Sequence, residues 1–331
     1  MKISKSLILC LLILIGLLAA CSDNSPKNSS NENNNESTSD FPKNQISLVV
    51  PFASGGASDL VSRTIASEME KELGVPVVVS NITGGTGSNG LFSVQNAKAD
   101  GYTIGYAPVE FAMLENLGLA EIKPENFSGI GKLMTIPAAL TVNSDAPYDT
   151  VEEFITYVKE NGNVKIGNSG TGSIWHIAAG ALADEAKIKV THVPYDGAAP
   201  AITALMGKHI DAVTVSPSEV KSGLDSGDLK LIGMLTKERN PNFPDTPTFS
   251  EAGYDIDISA WGGFIGPANI PENHLSIIQN AFEKATNSQE FKTLLDERGM
   301  TGDFKNGNEF ITFVNEQYDY FKELIPSIDL N

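Results

Sequence analysis

Short apolar runs alternate with amphipathic stretches along most of this chain. Residues 46–51, 75–79, 102–107, 165–168, 190–194, 212–215 and 229–235 are β-type runs without polar/apolar alternation. That pattern predicts strands buried on both faces, as in parallel sheets. Helical periodicity fills the gaps. Residues 59–73 bring Leu60, Thr64, Met69 and Leu73 near one face, and 151–159 begin after Thr150 with Glu153 three positions on, a capping-box spacing. Residues 174–186 and 200–206 follow strands after short loops. The rhythm is that of an α/β protein with mainly parallel sheets. Residues 271–325 read as helical, with Asn308 placed to cap a last helix that buries Phe310, Ile311, Phe313, Val314, Tyr318, Phe321 and Leu324.

Two extended apolar stretches, near 138–148 and 258–267, interrupt this rhythm and flank a middle block. They predict two lobes joined by crossing strands. The first lobe takes residues 42–140 and 264–331, and the second takes 141–263. Ligands of open α/β sheets sit outside the carboxyl ends of the strands, so two such lobes place the site in the cleft between them.

The first forty residues follow another pattern. Lys2 and Lys5 precede an apolar run over 7–18, and Leu18-Ala19-Ala20 leads into Cys21. The run is short for a membrane span and suits a signal peptide over 1–20. Residues 22–40 are rich in Asn and Ser and poor in large apolar side chains, too few to support a core. Residues 21–41 therefore read as a flexible tether behind Cys21. Order is expected from Phe41-Pro42 onward, leaving roughly 290 residues, enough for two domains.

Charge then narrows the partners. The chain carries a formal charge of -18, and removal of residues 1–20 takes it to -20, because both lysines leave with no acid. Such a surface repels nucleic acid and anionic headgroups, so an anionic ligand needs a local site. With Cys10 in the signal and Cys21 at the processed terminus, the folded part has no thiol for a disulfide, a nucleophile or a zinc site. His176, His192, His209 and His274 show no metal-binding spacing.

Three glycine- and serine-rich loops follow strands and precede helices. Pro51-Phe52-Ala53-Ser54-Gly55-Gly56-Ala57-Ser58-Asp59 and Asn168-Ser169-Gly170-Thr171-Gly172-Ser173 each offer backbone N–H groups and hydroxyls at a helix start, the physics of an anion site. Asp59 also suits a structural role at its helix start. Between them lies Asn81-Ile82-Thr83-Gly84-Gly85-Thr86-Gly87-Ser88-Asn89-Gly90, whose Gly85-x-Gly87-x-x-Gly90 matches the dinucleotide fingerprint with Glu110 about twenty residues on. The match does not open the first βαβ unit, the protein is read as exported, and no catalytic His or Tyr accompanies it. No cofactor is therefore expected. The loops make the inventory of a binding site. A serine hydrolase using Ser169 or Ser173 with His176 is the competing reading, though Gly-x-Ser-x-Gly is absent at this loop.

The loops, together with Leu18-Ala19-Ala20-Cys21, resemble known patterns. The signal resembles a bacterial lipobox, which implies a diacylated Cys21. Val49-Val50-Pro51-Phe52-Ala53-x-Gly55-Gly56-x-x-Asp59, Asp100-Gly101-Tyr102-Thr103, Ser169-Gly170-Thr171-Gly172-Ser173-x-x-His176, His192-Val193-Pro194-Tyr195-x-Gly197-x-x-Pro200-Ala201, Pro244-Asp245-x-Pro247-Thr248-x-x-Glu251-x-Gly253 and Trp261-Gly262 occur in order. Together they resemble the extracytoplasmic receptors of tripartite tricarboxylate transporters, the Bug receptors. The resemblance implies a type II, periplasmic-binding-protein-like Venus flytrap, non-catalytic and monomeric. It would close on a small organic carboxylate and deliver it to a membrane permease, or pass the closed form to a membrane sensor. It implies ligand contacts at Phe52, Ala53, Gly55, Gly56, Ser58 and Asp59, and at Ser169, Thr171, Gly172, Ser173 and His176. Gly85, Thr86, Gly87, Tyr195 and Ala198 would line the cleft, with Ser216 at a strand end. Two departures stand out. Ile82-Thr83-Gly84 replaces the usual Arg-Pro-Gly, and Asp196 stands where Lys is common. A carboxylate there disfavours a highly charged ligand, so citrate is not implied.

Overall fold

The computed structural model describes residues 41–330, except Asn163. The expected signal peptide, lipidated Cys21 and tether to residue 40 lie outside the described residues. Phe41 is buried, stacking on His274 with ring centroids 4.1 Å apart and meeting the edge of Tyr102. The first described residue thus belongs to the core.

The first half runs β1 (Ile46–Val50), α1 (Ala57–Leu73), β2 (Val77–Asn81), α2 (Ser88–Gln95), β3 (Thr103–Pro108), β4 (Phe127–Pro137), β5 (Ala139–Asn143), α3 (Val151–Asn161), β6 (Val164–Asn168) and α4 (Ile174–Glu185). Then follow β7 (Val190–Pro194), α5 (Ala198–Met206), β8 (Ala212–Val215), α6 (Pro217–Ser226), β9 (Leu229–Met234), β10 (Ser259–Pro267), α7 (Glu272–Thr286), α8 (Gln289–Arg298), β11 (Thr301–Asn306) and α9 (Gly307–Ser327). Strand order is β11-β4-β10-β3-β1-β2 in one sheet and β7-β6-β8-β5-β9 in the other. Helices flank both, giving a two-lobed α/β fold.

The sheets are mixed rather than mainly parallel. Parallel pairing joins β2, β1 and β3, and also β7, β6 and β8; every other pair is antiparallel. The cause is the crossing. β4 runs into β5 through Ala138 alone, so the chain enters the second sheet against the direction of β8. β10 returns to the first sheet from Ser259 onward, antiparallel to both β3 and β4. Where the chain crosses, three segments bond in a ring: Ala138 N–H donates to Ile258 C=O, Ile258 N–H to Leu235 C=O, and Leu235 N–H to Ala138 C=O, at 2.7–3.0 Å.

Edge strands also depart from the pattern of full burial. β7 is only partly covered, and Val78 on β2 is exposed. Thr150 caps α3 as its spacing predicts, its hydroxyl accepting from Glu153 N–H while Glu153 accepts from Asp149 N–H. The helical reading of 271–325 fails at β11, whose alternating burial marks an edge strand laid on β4. The cap of α9 is consequently Asn306, not Asn308: Asn306 Oδ1 accepts from Asn308 and Glu309 N–H, and Glu309 reaches back to Asn306 N–H.

Candidate functional site

The loops at the carboxyl ends of β1, β2, β3, β6, β7 and β8 meet across one cleft. Its outer part, about 560 Å³, is lined by Phe52, Gly56, Ala57, Ser58 and Thr86 from one side and Ser169, Gly170, Thr171, Ser173 and Tyr195–Ala198 from the other. An inner chamber of about 170 Å³ lies beyond it, walled by Tyr106, Met134, Trp261 and Met300 with Ser216 and Ser218. Phe52, Ala57, Ser58, Glu110, Ser169, Trp175 and Glu219 line both.

The first loop is held from behind. Asp59 is buried, and its carboxylate accepts from Gly55 N–H at 2.9 Å, from Asn81 Nδ2 at 2.9 Å and from the Arg63 guanidinium at 2.9–3.0 Å. Hydrogen bonding to Arg63 leads in holding its pKa down to about 2, with Gly55 and Asn81 adding to it against the cost of burial. Asn81 also donates to Phe52 C=O. Ala53, Gly55 and Asp59 line neither part of the cleft, and Gly55's N–H is already spent on Asp59.

The second loop explains its glycines by backbone shape. Gly84, Gly85, Thr86 and Gly87 have φ of 110°, 58°, 54° and 92°, four consecutive residues in a region L side chains avoid. Thr86 alone carries a side chain there and alone of the four lines the cleft; such strain at one residue is typical of functional sites. Gly90 permits contact with β1's exit, since a Cβ would stand 2.8 Å from Pro51 Cα. A tight bend and close packing account for the fingerprint-like spacing, and the loop follows the edge strand β2.

In the third loop, Ser173 caps α4, its hydroxyl accepting from His176 N–H. Gly170 N–H goes to Asn168 Oδ1 and Gly172 N–H to His176 Nδ1. His176 is buried beside His192, and burial followed by its neighbour pushes its pKa down to about 4. A neutral ring accepting at Nδ1 carries its proton on Nε2, which has no partner. That ring is therefore committed to shaping the loop, not to activating Ser169 or Ser173. Gly172, His176, Gly85 and Gly87 line neither part of the cleft, whereas Ser169, Thr171, Ser173, Tyr195, Ala198 and Ser216 do.

Some cleft residues lie deeper, and of these the sequence offers Glu110 only as the acid of the rejected dinucleotide fingerprint. Glu110, just past β3, lines the cleft and accepts from the N–H of Ile174 at the start of α4, a bond from the first sheet's loops to the second's. Burial drives its pKa up to about 7, against the pull of that donor and of its own N–H. Glu219 is the third residue of α6, whose Ser216 cap donates to it from both N–H and Oγ, and Trp175 joins as a further partner. Burial raises its pKa too. Tyr106 is hydrogen-bonded to Ser58, and Gly262 leaves room for its hydroxyl, which a Cβ would meet at 2.0 Å.

A family profile described as the tripartite tricarboxylate transporter family receptor matches residues 61–330. The chain belongs to that family. A UPF0065 protein of Agrobacterium vitis is 33% identical over 238 residues, covering 70% of this chain and 68% of its own length. Among solved structures, this receptor is similar to a TctC solute-binding protein from Polaromonas, at 35% identity and TM-score 0.77, covering 86% of this chain and 99% of that one. It is also similar to MatC of Rhodopseudomonas palustris, solved with bound malate, at 27% identity and TM-score 0.75, covering 86% and 100%. Receptors of this family work outside the cytoplasm with a tripartite transporter. No helix among this receptor's described residues is long and apolar enough to cross a membrane.

Proposed function

We propose that this receptor is a lipid-anchored solute-binding protein that captures a small organic carboxylate in the cleft and delivers it to tripartite tricarboxylate transporter membrane subunits. One observation carries the reading: hydroxyls from both sheets, Ser58 and Thr86 on one side and Ser169, Thr171 and Ser173 on the other, face one space. A ligand bridging them favours the closed form over the open one. The expected lobe boundaries, 42–140 with 264–331 and 141–263, shift to the crossing itself, because β5 joins the second sheet from Ala139 and β10 the first from Ser259: the lobes are residues 42–138 with 259–331 and residues 139–258, and they pivot at the bonded ring of Ala138, Leu235 and Ile258. Residues 1–20 are removed on export, Cys21 carries the lipid, and residues 22–40 hold the monomeric receptor clear of the membrane surface. Charge-assisted hydrogen bonds of about 1.5–3 kcal/mol each reach micromolar affinity with only a few contacts.

The test is a thermal-shift series on the full-length chain against mono-, di- and tricarboxylates and amino acids. A true ligand at one hundred times its Kd adds about 2.7 kcal/mol. One or a few acids should raise Tm by several degrees. If none does and denaturation releases no bound acid, the carboxylate reading fails.

A further inference from the structure

The lining of the cleft has an uneven charge. Its outer and inner parts together hold the carboxyl groups of Glu110, Asp196 and Glu219, and no Lys, Arg or His. An acid ligand therefore finds hydroxyls and N–H groups for its carboxylate but no cation. A second ligand carboxylate pushed inward would meet Glu110 and Glu219, which both line the inner chamber. Like charges brought close together repel.

The inner chamber has the opposite preference. Phe52, Tyr106, Trp175 and Trp261 line it, with Glu110 and Glu219. Aromatic faces attract a cation through their quadrupoles, and more so when it is desolvated. Two carboxyl groups add direct charge pairing. Glu110 is also the group that bonds Ile174 N–H at the start of α4, so it already fills the anion-favouring helix end that a ligand carboxylate would otherwise seek there. The ligand's own carboxylate is left with the outer hydroxyls.

We propose that the ligand is a zwitterion, with its carboxylate at the outer hydroxyls of Ser58, Thr86, Ser169, Thr171 and Ser173 and a cationic nitrogen in the inner chamber between Glu110 and Glu219. This rests on the carboxylate-receptor reading and adds the ligand's second end. It separates this chain from a receptor for dicarboxylates, and it makes Glu110 a specificity-determining residue. The recognised feature is the cationic nitrogen, which a primary ammonium and a trimethylammonium group share.

The full-length chain is titrated calorimetrically with four sets of acids of two to six carbons: ω-amino acids, their N-trimethylated forms, plain monocarboxylates and dicarboxylates. At the fitting length, one of the cationic forms should bind at least about tenfold tighter than both the monocarboxylate and the dicarboxylate. Glu110→Gln, isosteric and checked for folding by its own Tm, should cut the advantage over the monocarboxylate to below about threefold. A dicarboxylate that binds best, or an advantage that Glu110→Gln leaves intact, overturns the zwitterion proposal while the carboxylate reading stands. If no acid in any set binds, the carboxylate reading falls and this proposal with it.

Discussion

Asp59 stands in the first turn of α1, after β1, and is buried; Glu110 stands just past β3 and is partly buried. Their surroundings push them in opposite directions. Asp59 lies behind its loop among Arg63, Asn81 and Gly55 N–H, and its pKa falls to about 2. Glu110 lies at the cleft with two backbone N–H partners and no cation, and its pKa rises to about 7. A carboxylate whose charge is matched in full by its own protein holds a loop in shape. A carboxylate left under-compensated at a cavity is destabilising unless something completes it, and that marks it as a ligand-facing group.

Removing Asp59 should have the largest effect. Asp59→Ala strands a guanidinium, an amide and the Gly55 N–H, and breaking a buried pair costs about 3–5 kcal/mol. Arg63 is half-exposed and can turn to water, so the lower end, about 3 kcal/mol, is expected from urea unfolding at pH 7. A loss below about 1 kcal/mol would show that Asp59 does not organise the loop.

Glu110→Gln should act the other way. With a folded pKa of about 7 against an ordinary 4.5, the folded state binds more protons between those values, so Glu110 makes stability fall as pH rises from 4.5 to 7. The full cost, up to about 3 kcal/mol, applies above pH 7. Tyr106, Tyr195, Asp196 and Glu219 are the other titratable groups lining the cleft; Glu219 is raised by burial and slopes the same way. The variant should therefore be more stable at pH 8, equal at pH 4, and show a shallower slope between. Asp59 contributes in a separate window, its stabilisation being lost as pH falls from about 4 through 2. A variant that keeps the wild-type profile would remove Glu110 from the buried site.

Glycine and serine were informative along the sequence because they report backbone needs. The run from Gly84 to Gly87 is dense in glycine because four consecutive φ values are positive. Tyr106 carries no such local mark, and Glu110 and Trp261 are marked only by a fingerprint spacing and a Trp-Gly pair that do not place them in the cleft. They meet only after β10 has returned antiparallel between β3 and β4. β4 itself was hidden by Gly129, Gly131 and Lys132. Each has a packing reason that lies far along the chain: a Cβ on Gly129 would meet Gly307 C=O at 2.2 Å, one on Gly131 would meet Phe282 at 2.5 Å, and buried Lys132 pairs with Asp303 while lying 3.9 Å over Phe313. The strand-end rule could have found Glu110, since it follows β3 just as the two anion-type loops follow β1 and β6.

The same contrast between structural and ligand-facing groups can be drawn with helix caps, where the expected effects are smallest. Thr150 caps α3 away from the cleft, and Ser173 caps α4 inside it. Each hydroxyl accepts one backbone N–H at 3.2 Å, so Thr150→Ala and Ser173→Ala should each cost about 1 kcal/mol of stability. Affinity should separate them. Ser173's O–H remains free to donate to a ligand carboxylate while its lone pair caps the helix, and a hydrogen bond to a charged group contributes about 1.5–3 kcal/mol. Ser173→Ala should weaken binding of whichever acid stabilises the receptor by about tenfold or more, and Thr150→Ala by less than about twofold. Equal affinities in the two variants would reduce Ser173 to a helix cap that happens to border the cleft, and would move the ligand's carboxylate toward Ser58 and Thr86.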